Sequence, residues 1–98
     1  MRSLPREFLI ECLKDPEHAA GYIEAILEEK DPERELLRNA LRKVAEAYAT
    51  SNKLPESAKQ HHKKLDKMLT QSGCAEIYTF VELLDALGFR VAVSEAMP

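Results

Sequence analysis

Apolar side chains recur every three or four residues along most of the chain, which is the spacing of an amphipathic α-helix. The pattern predicts helices over residues 5–13, 16–29, 32–49 and 77–87. The third is the most regular, with one helical face made of Leu37, Ala40, Leu41, Val44, Ala45 and Tyr48. Over residues 90–93 apolar and small residues alternate instead, which predicts a short β-strand. The chain is therefore expected to be all-α apart from that strand.

Local signals indicate two helix starts and one helix end. The tripeptide Asp-Pro-Glu occurs at residues 15–17 and again at residues 31–33. Aspartate can accept hydrogen bonds from the free N–H groups of a first turn, and proline at the first position loses no hydrogen bond there. Gly88 followed by Phe89 is typical of a helix that ends in a left-handed residue. We therefore expect helices to begin at the two prolines and the last helix to end at this glycine.

The segment between the third and last helices is polar and basic. Leu54 and Ala58 can support one short helix, and a second can use Leu65, Met68 and Leu69 before Gly73 interrupts the chain. Five lysines and two carboxylates lie within residues 51–72, a local charge of +3, whereas the rest of the chain carries −6. Such a face can bind the phosphates of a nucleic acid, or it can be the solvated surface of a lysine-rich helix.

Length and composition limit the possible folds and locations. With 98 residues, 45% hydrophobic and 32% charged, the chain suits one domain and is too short for a barrel enzyme of about 200 residues or more. Its two cysteines form no closely spaced pair, which favours a reducing cytoplasm over a disulfide-bonded secreted domain. No run approaches the roughly 18 apolar residues of a membrane span. We expect a cytoplasmic protein that does not enter the membrane.

Segments spread over most of the chain resemble the addiction-module antidote protein family. Similarity to the N-terminal half of that family lies in residues 13–17 (LKDPE), 20–23 (AGYI), 31–32 (DP) and 41–47 (LRKVAEA), and similarity to its closing helix and strand lies in residues 80–93 (FVELLDALGFRVAV). The resemblance implies a phage-repressor-like helical domain with a helix-turn-helix. It also implies an antitoxin of a toxin–antitoxin module, which represses its own transcription on operator DNA and neutralises a cognate toxin protein.

The resemblance also implies how the chain is divided. A single domain over residues 1–98 would comprise an N-terminal helical extension (1–31), a core containing the helix-turn-helix (32–93) and a tail (94–98). The central segment differs from the family, which has a small residue in the first short helix, a glycine in the turn and an aliphatic residue after it. Those positions are Pro55, Lys59 and Gln60 here. A second hypothesis is therefore a protein-binding module on the same scaffold with a decayed DNA-reading face.

Alignment with the family places six side chains at the exposed start of the recognition helix: Gln60, His61, His62, Lys63, Lys64 and Lys67. That end of a recognition helix enters the major groove, where such side chains can contact bases or phosphates. The loop before the first short helix holds Ser51, Asn52 and Lys53, which can contact phosphates. Ser51 or Asn52 can instead simply cap that short helix. For the recognition helix, the alternative is a solvated helix without a ligand.

The predicted C-terminal strand indicates a homodimer. Antiparallel pairing of Arg90, Val91, Ala92 and Val93 across a two-fold axis would satisfy their backbone groups and would match the symmetry of operator half-sites. Alternatively, these residues fold back onto the last helix of their own chain.

Motifs for catalysis and metal binding are missing from the sequence. Ser57 and Ser72 have no GxSxG setting, and there is no Walker loop or HExxH motif. His61 and His62 are adjacent, so on a helix they point about 100° apart and cannot readily share one ion. Cys12 lies on an apolar stripe and is expected in the core. We expect no enzyme, no cofactor and no metal site.

Overall fold

The computed structural model describes residues 6–96, and all regular structure in that range is helical. Five helices follow one another along the chain: α1 (Arg6–Leu13), α2 (Pro16–Leu27), α3 (Leu36–Thr50), α4 (Glu56–Ser72) and α5 (Ala75–Ala86). The expected all-α class is therefore confirmed for this range. The predicted first and last helices also occur within a few residues of their expected bounds.

Two apolar clusters hold the helices together, and α3 contributes to both. The first cluster contains Leu13 of α1, Ala19 of α2 and Ala47 of α3. The second contains Leu37 of α3, Leu69 of α4, and then Cys74 and Tyr78. Because α3 spans the two clusters, it connects the N-terminal pair of helices to the C-terminal pair.

The two Asp-Pro-Glu tripeptides behave differently. Asp15 caps α2, its carboxylate accepting a hydrogen bond of 3.1 Å from the N–H of Glu17, and Pro16 begins the helix as predicted. The second prediction is wrong, because α3 begins only at Leu36. In the loop before it, the Arg34 guanidinium donates to the Gln71 carbonyl at 3.2 Å. A tertiary contact thus holds this loop where the local signal predicts a helix.

The expected pair of short helices over residues 54–69 is replaced by one helix, α4, of 17 residues. The expected turn near Lys59 and Gln60 is therefore wrong, and the N–H of Lys59 donates to the Pro55 carbonyl at 3.1 Å as in a regular helix. Neither glycine nor proline occurs within Glu56–Ser72, and lysine and glutamine favour helix. Lys59 and Gln60, which differ from the residues expected in the turn, thus allow the helix to continue.

The connection between α4 and α5 is a tight turn of two left-handed residues. Gly73 has φ 70° and Cys74 has φ 68°. A Cβ on Gly73 would lie 2.8 Å from Cγ of Arg34, so both the backbone conformation and the limited space favour glycine there.

One of two expectations for the C-terminal tail is confirmed. Gly88 has φ 89°, and the N–H of Phe89 donates to the Leu84 carbonyl at 2.8 Å, as predicted for a left-handed helix end. Within the single chain, residues 90–93 form no strand. The carboxylate of Glu24 accepts from the Val93 N–H at 2.9 Å, and Arg90 pairs with Glu28 at 3.1 Å. The tail is thus held by α2 of its own chain, rather than by α5.

Candidate nucleic-acid interface

Helix α4 has one apolar face and one basic face. Leu69 is buried, and Leu65 packs against the same cluster. Lys59, Lys63 and Lys67 lie four residues apart and are exposed, so they form a row about 12 Å long on the opposite side. Gln60 and Lys64, also exposed, lie beside this row, whereas His61 is exposed on a different side of the helix, because residues two positions apart point in nearly opposite directions. We call Lys59, Gln60, Lys63, Lys64 and Lys67 the basic face of α4.

His62 differs from the other predicted DNA contacts on this helix. It is half-buried, and its Nε2 atom is buried without a hydrogen-bond partner in the described part of the chain. It lies one turn before Asp66 on the same helix. The structure therefore separates His62 from its neighbours and places it towards the packed side of the helix.

An ion pair sets the orientation of α4 on α3. The Arg42 guanidinium donates two hydrogen bonds to the Asp66 carboxylate, from Nε at 2.8 Å and from Nη2 at 2.9 Å. Arg38 lies one turn earlier on α3, with its Nε 3.6 Å from the same carboxylate. The hydrogen bond from Arg42 lowers the pKa of Asp66, so the carboxylate stays charged at neutral pH.

This network contains functional positions that the sequence analysis missed. The only signal in the sequence is the four-residue spacing of Arg38 and Arg42, which places both on one side of a helix. Nothing in the sequence indicates that Asp66, on a different helix, is their common partner. A bidentate pair has a fixed geometry, so it restricts rotation of α4 and holds the basic face outward.

The three predicted phosphate contacts before α4 have structural roles at the end of α3. The Ser51 hydroxyl donates to the Ala47 carbonyl at 2.8 Å, and the backbone N–H of Lys53 donates to the Tyr48 carbonyl at 2.8 Å. Asn52, between them, has a left-handed backbone with φ 59°. The expected cap of the next helix is wrong, because α4 begins after Pro55 without a side-chain cap. Asn52 and Lys53 remain exposed, whereas Ser51 is half-buried.

The charges on the basic face are largely uncompensated. Lys59 lies 3.9 Å from Glu56, whereas Lys63, Lys64 and Lys67 have no carboxylate within ion-pair distance among residues 6–96. Cations of this kind can replace the counterions of a phosphate backbone, which is favourable because released counterions gain entropy. The arrangement is thus suited to a polyanion that lies along a helix.

The cysteines and the possible metal ligands of these helices lie apart from the basic face. Within residues 6–96 no three His, Cys, Asp or Glu side chains are close enough to hold one metal ion. Burial raises the pKa of the Cys74 thiol, which keeps it protonated and unreactive at neutral pH. Cys12 is half-buried.

Comparisons with other proteins add no assignment. No family model, curated protein or solved structure matches the chain. In the described range no helix has the length and apolar character needed to cross a membrane.

Proposed function

We propose that the chain is an antitoxin that binds operator DNA through the basic face of α4, represses its own transcription and neutralises a cognate toxin protein. The observation that carries the DNA-binding part is the row Lys59, Lys63 and Lys67, exposed on a helix that the Arg42–Asp66 pair fixes in place. The antitoxin role rests on the resemblance to the antidote family. Repression would be a matter of occupancy, since a protein bound at a promoter excludes the polymerase.

The proposed contact is mainly electrostatic. A helix of about 10–12 Å diameter fits a major groove of about 12 Å width, with lysines directed to the phosphates on either side. Gln60 lies beside this row and can hydrogen-bond to base edges, whereas His61 points to a different side of the helix. Lys53 and Asn52, exposed before α4, would contact the backbone.

A homodimer is part of this proposal, because two copies of α4 would read two half-sites. Residues 90–93 are the proposed interface, and their pairing would have to replace the contacts of Arg90 with Glu28 and of Val93 with Glu24. Sedimentation equilibrium tests the dimer directly. A mass near twice 11.1 kDa is expected for the wild type, and a strict monomer at high concentration contradicts it.

Gel-shift titrations over a series of salt concentrations test the DNA-binding part. The probe is duplex DNA from upstream of the protein's own reading frame. Wild-type affinity should fall steeply as salt rises, and Lys63→Glu with Lys64→Glu should abolish binding while helicity measured by circular dichroism is kept. A double variant away from α4, Lys14→Glu with Lys30→Glu, changes the net charge equally and should retain most of the binding.

A second candidate function is a protein-binding module whose DNA-reading face has decayed. It is favoured by the unbroken α4 and by three large apolar side chains exposed on α5 and just after it, Phe80, Leu83 and Leu87. Undetectable DNA binding by the wild type at low salt would favour this candidate. A neighbouring reading frame for a basic, toxin-like chain of about 100 residues would favour the antitoxin role.

A further inference from the structure

A cleft of ≈ 700 Å³ lies between the end of α2, one face of α5 and the C-terminal tail. Its apolar lining includes Leu27, Val81, Phe89 and Val91. Phe89 is 61% exposed, so the cleft presents a large aromatic ring to solvent. The volume lies within the range of pockets that bind ligands, about 300–1,000 Å³.

The polar lining of the cleft is mainly acidic. Four carboxylates and two cations contribute to it, which is a local charge of −2. Arg90 is already paired with Glu28. Glu29, Glu82 and Asp85 have no cation within ion-pair distance in the part of the chain that the structure describes, and all three are exposed. Glu82 and Asp85 lie three residues apart on the side of α5 that faces the cleft.

We propose that this cleft binds a basic segment of a partner protein. An apolar side chain of that segment would pack against Leu27, Val81 and Phe89, while its Lys or Arg residues would meet Glu29, Glu82 and Asp85. This proposal rests on the protein-binding part of the proposed function and is independent of DNA binding by α4. The binding surface is thus the cleft of this chain, and the bound segment of the partner is positively charged.

The acidic charge of the cleft makes binding of a nucleic acid or of a second copy of the chain unfavourable. A nucleic acid would be repelled by the unpaired carboxylates. A second copy seated in this cleft across a two-fold axis would bring the same acidic surface to face itself, which is unfavourable. The homodimer proposed above pairs residues 90–93 instead, which removes Arg90 and Val91 from the cleft, so dimer formation and binding of the basic segment exclude each other. A basic segment with an apolar anchor satisfies both parts of the lining.

The probe for the test is a helical peptide with Leu and Lys at helical spacing, titrated into the full-length, isotope-labelled protein and followed by NMR. The expected shift changes lie at the cleft residues of α2, α5 and the tail. A matched peptide with Glu in place of Lys should bind at least about tenfold more weakly, because its negative charges are repelled by the cleft carboxylates. Shift changes centred on another surface, or equal binding of the two peptides, would overturn the proposal.

Two cleft variants and one control separate the contribution of charge to peptide binding from that of apolar contact. Glu82→Gln with Asp85→Asn should weaken the Lys peptide about tenfold through lost charge, and Phe89→Ser should weaken it without any change of charge. Glu7→Gln with Glu76→Gln removes two exposed carboxylates from elsewhere and should leave binding unchanged. Equal weakening by the control pair would show a general charge effect and would contradict a defined site, as would no binding at millimolar peptide.

The same variants distinguish this proposal from the DNA-binding proposal. Gel shifts with Glu82→Gln and Asp85→Asn should match the wild type, because neither residue lies on α4. A wild type that binds DNA but not the Lys peptide overturns only the cleft, and a wild type that binds the peptide but not DNA overturns only the DNA interface. Self-association that disappears in the cleft variants would identify a second copy as the occupant and would overturn the basic partner.

Discussion

The Tyr78 hydroxyl donates a hydrogen bond of 2.7 Å to the backbone carbonyl of Ile26. This contact joins α5 to the last turn of α2, 52 residues earlier in the chain. Tyr78 is the buried residue of α5, and burial raises the pKa of its phenol. Because the rest of α5 exposes several large apolar side chains, this residue is the main anchor of the helix and positions one wall of the acidic cleft.

Tyr78→Phe should lower the free energy of unfolding by about 0.5–1.5 kcal/mol, because it removes the hydrogen bond and keeps the ring. Urea titration followed by circular dichroism measures the change. Tyr48→Phe is a matched control, since no hydrogen bond from the Tyr48 hydroxyl is found within residues 6–96. An equal loss in both variants would contradict the role of the hydrogen bond.

Leu37→Ala and Phe80→Ala should differ greatly in stability. Leu37 is 2% exposed within the second apolar cluster, so its truncation should cost about 2–5 kcal/mol. Phe80 is 58% exposed, so its truncation should change stability by about 0.5 kcal/mol or less. Denaturant titration of the two variants gives the comparison. A larger cost for Phe80 would mean that α5 packs through the opposite face.

Gly73→Ala and Gly21→Ala should have opposite effects. At Gly73 the left-handed backbone costs a substituted residue about 1–2 kcal/mol, and the new methyl group would also press on Arg34. Gly21 lies inside α2 with no atom within 4 Å of an added Cβ, so alanine should stabilise the helix by about 0.5–1 kcal/mol. Thermal unfolding should therefore show one melting temperature lowered and the other raised.

Asp66→Asn should reduce the dependence of stability on acid pH. The hydrogen bond from Arg42 lowers the pKa of Asp66 in the folded state. The pair therefore stabilises the fold above the unfolded pKa of about 4, and this contribution is lost as the pH falls through the folded pKa. Unfolding free energies measured from neutral to strongly acid pH should fall less steeply in the variant. Asp85→Asn, which removes a carboxylate outside any ion pair of the described residues, is the control, and an equally reduced slope in it would contradict the role of the Arg42–Asp66 pair.

The all-helical class was predictable from the sequence, and so were those helix ends that depend on neighbouring residues. Asp15 and Pro16 start α2, and Gly88 ends the last helix, because each acts on backbone groups within a few residues of itself. The lysines of the candidate interface were equally accessible, since charge and helical spacing are local properties. The pairing of Arg42 with Asp66 was not, because the two residues are 24 positions apart.

Contacts between distant residues decided the rest. Phe80 of α5 is exposed, because the helix instead packs through Tyr78, whose hydroxyl reaches α2. The alternating tail predicts a strand, yet Glu24 of α2 satisfies the Val93 N–H instead. Periodicity reports which residues share a face, but it does not report which face meets a neighbour. That choice depends on hydrogen bonds and packing that form only once the helices are assembled.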